Sequence, residues 1–341
     1  MRRAVVPKLR GMNLKGKKVL VTGADGFIGS HLAERLVLEG ARVRVFCLYN
    51  SQGSLGWLET VASEIRHELD VHLGDIRDSR FVEQACKEME IVFHLAGLIA
   101  IPYSYTAPES FVDTNVGGTL NVLEGARRSG VKRIVQTSTS EVYGTPASVP
   151  IRETHPLNAQ SPYAATKIAA DQLALSYFQS FKTPVTVLRP FNTFGPRQST
   201  RAVTSTMLLQ LLSGRKEINL GRLDTRRDLT YVSDVVDGFL RAGSVEGIEG
   251  KVIQLGTGRS VSIEHLFNLA CQVLGVCATV IADARRLRPD ASEVLELQSD
   301  PSLALELLGW KPTVTLEEGL ERTATWLREN RHSYRPDFLY A

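Results

Sequence analysis

Five consecutive residues, Thr137-Ser138-Thr139-Ser140-Glu141, set four hydroxyls beside one carboxylate, and Tyr163 and Lys167 follow a short way downstream. Hydroxyls and an acid together can both donate and accept protons. Tyr163 and Lys167 stand four positions apart, so a helix would put them on one face. Ser161 suits an N-cap and Pro162 the first helical position, which places Tyr163 in the first turn, at the positive end of the helix dipole. A free tyrosine titrates near about 10, and a base working near neutrality needs roughly 3 units less, or about 4 kcal/mol. An ammonium about 4 Å away at an effective dielectric of about 20 supplies roughly that much. The spacing predicts that Lys167 and the dipole together lower Tyr163 and make it a base.

Such groups need a rigid platform, and the surrounding pattern offers one. Apolar runs at 18–22, 41–48, 71–73, 91–95, 131–136 and 185–188 alternate with helical stretches, notably 79–88, 108–129 and 162–181. Several runs are apolar on both faces, as in a parallel sheet covered by helices on each side. This predicts a doubly wound α/β domain, with the hydroxyl cluster at the carboxyl end of a strand, where such sheets bind ligands. After Arg189 the loops lengthen and the strands shorten, with helical patterns at 263–274 and 316–328. The expected division is an arm at 1–16, a dinucleotide-binding domain at 17–188, and a mainly substrate-binding, mixed α/β domain at 189–341.

The first strand opens into Gly23-x-x-Gly26-x-x-Gly29 and then a helical repeat. Glycines at this turn let backbone approach a pyrophosphate, and the helix N-terminus receives its charge. Gly23, Asp25, Gly26, Phe27, Ile28 and Gly29 are therefore the first candidate dinucleotide contacts. Asp75, after the third strand, is placed to meet the adenine, with Ile76 beside it. The second strand ends in Leu48-Tyr49-Asn50-Ser51, with neither a carboxylate for a ribose nor an arginine for a 2′-phosphate. NAD is favoured, and NADP stays open.

The totals exclude other classes. A net charge of +3 in 341 residues gives no footprint for nucleic acid, and its excess lies partly in Arg2, Arg3, Lys8 and Arg10 of the arm. The four cysteines, Cys47, Cys86, Cys271 and Cys277, have no metal-ligand spacing. No stretch reads as a signal peptide or a membrane span, so the expectation is a cytosolic, reducing setting without a metal. His72 and His94 end apolar strands and are expected to pack.

Taken together, these motifs resemble the extended short-chain dehydrogenase/reductases of the nucleotide-sugar epimerase/dehydratase group. The resemblance runs from Lys18 to about Trp326. It rests on the glycine turn, His94-Leu95-Ala96-Gly97, Asn115-Val116-Gly117-Gly118-Thr119, Tyr163-x-x-x-Lys167, Arg189-Pro190-Phe191-Asn192 and Arg227-Asp228-Leu229-Thr230-Tyr231-Val232. Within the group, 4-epimerases carry small residues where this chain has Glu141, whereas 4,6-dehydratases and glucuronate decarboxylases carry the acid. Segments 48–51, 56–58, 99–105 and 195–203 are similar to the N-acetylglucosamine-nucleotide 4,6-dehydratases of legionaminic acid pathways.

The resemblance implies a Rossmann-type fold, tightly bound NAD, and a homodimer through a four-helix bundle of 108–129 and 162–181. It implies catalytic roles for Thr139, Ser140, Glu141, Tyr163 and Lys167, with Ser140 standing where many dehydratases have Asp. Tyr49, Asn50, Leu95 and Ala96 join the cofactor contacts, as do Tyr163 and Lys167. Ile101, Tyr103, Thr139, Asn192, Arg201, Arg227 and Arg288 become the substrate contacts, the last two as phosphate partners because guanidinium grips phosphate bidentately. Arg201 also fits a decarboxylase, where a similar arginine faces a glucuronate carboxylate. A 5,6-dehydration is a further variant. A non-catalytic dinucleotide sensor would not need the tyrosine and lysine that are both here.

Overall fold

The computed structural model describes residues 14–334. The basic residues of the expected arm, Arg2 to Arg10, lie outside them, but Leu14 is packed in the core.

Strands β1 (Lys18–Thr22), β2 (Arg42–Leu48), β3 (Asp70–Gly74), β4 (Ile91–His94), β5 (Arg133–Thr137) and β6 (Val185–Pro190) follow one another. They are succeeded by β7 (Asn192–Phe194), β8 (Glu217–Leu220), β9 (Arg226–Tyr231) and β10 (Val252–Leu255). The first six and β10 form one parallel sheet, ordered β10-β6-β5-β4-β1-β2-β3. The order reverses between β1 and β4, which opens a crevice at their carboxyl ends.

Helices α1 (Phe27–Leu38), α2 (Ser63–His67), α3 (Ser79–Cys86), α4 (Ile101–Thr106), α5 (Pro108–Phe111), α6 (Gly118–Arg128) and α7 (Pro162–Phe181) join the strands of this half. Alternate residues of each strand feed opposite layers. Val19, Val21 and Phe93 pack with Leu32 and Leu36 of α1, while Leu20, Val92 and Ile134 pack with Val82 of α3, Val122 of α6 and Ala174 of α7. Each such Val, Leu, Ile or Phe side chain contributes about 1.5–3 kcal/mol on burial. Both faces being covered explains the absence of polar alternation in the strands.

The remaining helices are α8 (Val203–Leu212), α9 (Val232–Ser244), α10 (Ile263–Leu274), α11 (Ser302–Leu308) and α12 (Leu316–Glu329). With β11 (Ser260–Ser262), β12 (Thr279–Ala282) and β13 (Glu296–Leu297) they build a smaller lobe. There β9 is flanked by antiparallel β11 and parallel β13 and also pairs with β7, and β12 pairs with β8. The chain does not simply part at residue 189. β10 rejoins the large sheet and α9 lies against it, with Gly238 so close to Leu255 that a Cβ would sit 2.4 Å from it. The stretch 108–129, read as a single helix, is instead α5, a π turn over Val112–Gly117, and α6.

Candidate active site

The glycine turn is shaped by close approach. Gly23 has φ +68°, and a Cβ there would lie 2.7 Å from the Ala96 nitrogen; one on Gly29 would lie 2.1 Å from the Gly23 carbonyl oxygen. No side chain fits either place. Helix α1 then starts at Phe27 with no side-chain cap and no acid in its first turn. Free N–H groups and a positive dipole end beside a glycine cradle fit a dinucleotide pyrophosphate.

Around it, Asp25 ties the turn to the end of β2, its carboxylate accepting from Leu48 N at 3.4 Å, and burial pushes that carboxyl up. The nitrogens of Leu95 and Ala96 both donate to Thr22 Oγ1 at 3.2 Å. Ile76 is buried against Gly118. Tyr49 is exposed, while the Asn50 amide closes its own loop on Leu48 O and Ser54 O. The Asp75 carboxylate is gripped by Arg77 at 2.6 Å and held below the usual carboxylate range by it.

The proton-transfer residues meet where β5 ends against α7. Ser161 caps the helix through Ala164 N at 3.1 Å. Lys167 Nζ donates to Thr137 O at 2.6 Å, and the Thr139 hydroxyl lies close enough to that of Tyr163 to favour its ionised form. Ser140 is buried beside them, and the Glu141 nitrogen donates to Thr139 Oγ1 at 3.2 Å.

One expectation is reversed. Tyr163 is buried, packing on Ile101 and Phe111, and burial pushes its hydroxyl up; the neighbouring Thr139 hydroxyl opposes this, while Glu141 and Asp171 add to it. Lys167, also buried, is pushed down, countered only by Asp171. Its amine is committed to Thr137, and the helical spacing alone gave no hint of how dry the face would be. His94 does pack, as expected: its Nδ1 meets Thr22 Oγ1 at 2.7 Å and its Nε2 meets Thr119 Oγ1 at 3.2 Å. His72 is partly buried and pairs with Asp70 at 3.2 Å.

Facing this cluster are the arginines. Arg288 Nη1 lies 3.7 Å from Glu141 Oε2. Arg227, buried, pairs with Glu293 at 3.2 Å and bonds Arg226 O at 2.9 Å; burial lowers it, the charge of Glu141 raises it, and Arg288 lowers it again. The buried Oδ1 of Asn192 has no hydrogen-bond partner among the described residues. Tyr103 is half-exposed, its ring tilted at 54° against that of Phe111. Arg201 is exposed, its Nε bonding Ser199 Oγ at 3.2 Å. Among the described residues no group of three His, Cys, Asp or Glu could hold a metal.

A glycine cradle at a sheet switch point, beside an enclosed Thr–Tyr–Lys–Glu constellation, describes dinucleotide-assisted proton chemistry. The family model described as GDP-mannose 4,6 dehydratase matches residues 20–323. The chain belongs to the NAD-dependent nucleotide-sugar epimerase/dehydratase family.

Among its relatives in that family is the UDP-glucose 4-epimerase of Mycolicibacterium smegmatis, 33% identical over 318 residues and covering 91% of this chain and 98% of that one. The dTDP-D-glucose 4,6-dehydratase of Mus musculus is 31% identical over 328 residues, 94% of this chain and 91% of that one. The crystal structure of a Streptomyces venezuelae dTDP-glucose 4,6-dehydratase with NAD bound superposes with a TM-score of 0.81 at 30% identity, over 93% and 99% of the two chains.

In this epimerase/dehydratase family member, two residues to which the sequence assigns no role, Asn115 and Asp171, tie the site together. Asn115, within the π turn, accepts from Leu98 N at 2.8 Å and donates to Thr166 Oγ1 at 3.1 Å, tying the loop after β4 to α7. π turns favour functional sites. Asp171 is a lone acid, one turn beyond Lys167 and wholly buried, and Arg189 is its partner. A charged residue on the enclosed face of an alanine-rich helix was the signal available for it.

Proposed function

We propose that the protein is an NAD-dependent 4,6-dehydratase of a UDP- or GDP-linked N-acetylglucosamine, yielding the 4-keto-6-deoxy sugar. The observation that carries the reading is Glu141, a carboxylate on the segment that also carries Thr139, close enough for its charge to act on Tyr163 and 3.7 Å from Arg288. An epimerase exchanges hydride at one carbon and has no second proton to remove; a dehydratase needs a base for C5.

When bound, NAD supplies the acceptor for the C4 hydride and its later return to C6. The Thr139 and Tyr163 hydroxyls lie side by side, so both can hold the sugar 4-hydroxyl, and Tyr163 takes its proton. Burial opposes a charged Tyr163, so the positive charges near the site, Lys167 and the α1 and α7 N-termini, have to offset it. The ketone at C4 acidifies C5–H. Glu141 takes that proton and passes it to the departing C6 hydroxyl, which leaves as water. A proton returned to C5 from Tyr163 restores every residue. Ser140, buried beside Glu141, is placed to support the leaving hydroxyl. Arg227, Arg288 and Asn192 are assigned to the diphosphate and sugar, and helices α5, α6 and α7 to a dimer interface.

The test is incubation with UDP- and GDP-linked N-acetylglucosamine and with UDP-glucuronate, scored by product mass. Loss of water from an N-acetylglucosamine nucleotide supports the reading. Loss of carbon dioxide from the glucuronate would instead make it a decarboxylase, with Arg201 facing the carboxylate.

A further inference from the structure

Three residues one turn apart on α7 face three consecutive residues at the end of β5. Tyr163 lies beside Thr139, Lys167 donates to Thr137 O at 2.6 Å, and Asp171 Oδ2 accepts from Ser138 Oγ at 2.7 Å. Asp171 is in turn fixed from β6, because Arg189 Nε and Nη2 both donate to the same Oδ2, at 3.0 and 2.9 Å. The third arm of Arg189 leaves that cluster. Its Nη1 donates to Tyr143 OH at 3.0 Å, and its guanidinium lies 5.2 Å over the Tyr143 ring. The Tyr143 hydroxyl donates to Gln254 Oε1 on β10 at 3.1 Å, and the Gln254 amide donates to Asp300 O at 3.1 Å and to Ile151 O. Asp171, Tyr143 and Gln254 show no exposure at all, and Arg189 only 2%.

The network therefore grips the catalytic segment at two separate points. Ser138 is anchored through Asp171 before Thr139, and Tyr143 is anchored through Arg189 and Gln254 after Glu141. Between the anchors the segment carries Thr139 and the proposed C5 base, Glu141. At the Glu141 end the backbone is held by Asn158 N on Val142 O, Gly144 N on Glu141 O and Glu141 N on Thr139 Oγ1, and Tyr143 and Val142 pack with Ile151 and Phe191, so that Tyr143 is the buried side chain that ties this end to β6 and β10.

We propose that Tyr143, with Arg189 and Gln254 behind it, is a positioning residue for Glu141, so that loosening it impairs proton removal at C5 while sparing oxidation at C4. This rests on the dehydratase reading. Tyr143 does not touch the reacting sugar; it sets where the carboxylate two residues before it stands.

The experiment is a single turnover, quenched and trapped with borodeuteride, which labels any 4-ketone and distinguishes by mass whether the C6 oxygen is still present. In Tyr143→Phe the 4-ketone retaining C6 oxygen accumulates, water loss slows about 10- to 100-fold, and C4 oxidation changes by less than about twofold. Gln254→Met, which removes the acceptor of the Tyr143 hydroxyl, gives the same split and serves if Tyr143→Phe does not fold, with thermal melting as the check. Equal slowing of both steps would show a merely structural role and overturn the proposal, as would no change in either. Glu141→Gln separates the two ideas. If it fails to accumulate the oxygen-retaining 4-ketone, the dehydratase reading falls; if it accumulates it and the Tyr143 and Gln254 variants do not, only the positioning role falls.

Discussion

Along α7, Lys167 reaches Thr137 at 2.6 Å and Asp171 receives Ser138 at 2.7 Å, whereas across the site Arg288 stands 3.7 Å from Glu141 and Arg227 3.2 Å from Glu293. The first side is a helix face against a strand end. Its hydrogen bonds are short and buried. The second joins Arg227 of β9 to an irregular segment, with 3₁₀ turns at Ala284–Arg286 and Asp290–Ser292, that carries Arg288 and brings the two arginines near one another. Like charges in one place are costly unless an anion joins them. The proton-transfer side is thus finished by the fold, while on the proposed function the arginine side exchanges its carboxylates for phosphate oxygens, which offer guanidinium more acceptors.

If that contrast is right, damage to the two sides should differ in kind. Tyr163→Phe should lower kcat by about 10²–10⁴ and leave nucleotide affinity unchanged, since only a proton carrier is lost. Retained turnover, measured at saturating substrate, would remove the tyrosine from the chemistry and break the comparison. Asp171→Asn should act on folding as well, because it strands the Arg189 charge in a dry site. The expected loss is about 3–5 kcal/mol in denaturant unfolding; a loss below about 1 kcal/mol, the range of an exposed pair, would mean that this side is no more finished than the other.

Acid provides a milder probe of the same side. Burial, with a smaller effect from Lys167, lowers His94 to about 3, and burial with Arg197 lowers His31 to about 4. In the fold both stay neutral where the unfolded chain, near 6.5, binds protons, so stability is full above about 6.5 and falls as pH drops through that window. Each histidine can remove at most about 1.4 kcal/mol per pH unit, so His94 accounts for about 3 kcal/mol by about pH 4. Unfolding measured against pH should therefore be less steep in His94→Gln. An unchanged slope would show that the strand end around Thr22 and Thr119 is wet.

How much could be read beforehand follows the same division. Tyr163 and Lys167 were readable because a cap, a proline and a four-residue spacing are local facts, and α7 spans the expected residues. The glycine turn was readable for the same reason. The drying of that face was not, since Ile101 and Phe111 arrive from distant chain to enclose Tyr163. Nor was the π turn at Val112–Gly117, which interrupts no apolar pattern, or the return of β10, whose four-residue run is too short to distinguish from a loop. Arg288 could be nominated by charge and resemblance, but its meeting with Glu141 spans 147 positions, from 141 to 288, and depends on the whole smaller lobe.

Arg288→Ala is the finest test of the contrast, because it should change binding without changing chemistry. The pair with Glu141 is long and partly open to solvent, so its loss should barely alter unfolding. A charged hydrogen bond to phosphate is worth about 1.5 kcal/mol at the low end, so KM for the nucleotide sugar should rise roughly tenfold with kcat little affected. The rise should shrink with added salt, which weakens the wild-type attraction toward the level of the variant. If kcat falls instead and KM holds, Arg288 serves Glu141 rather than the diphosphate, and the 3.7 Å pair belongs with the finished side of the site.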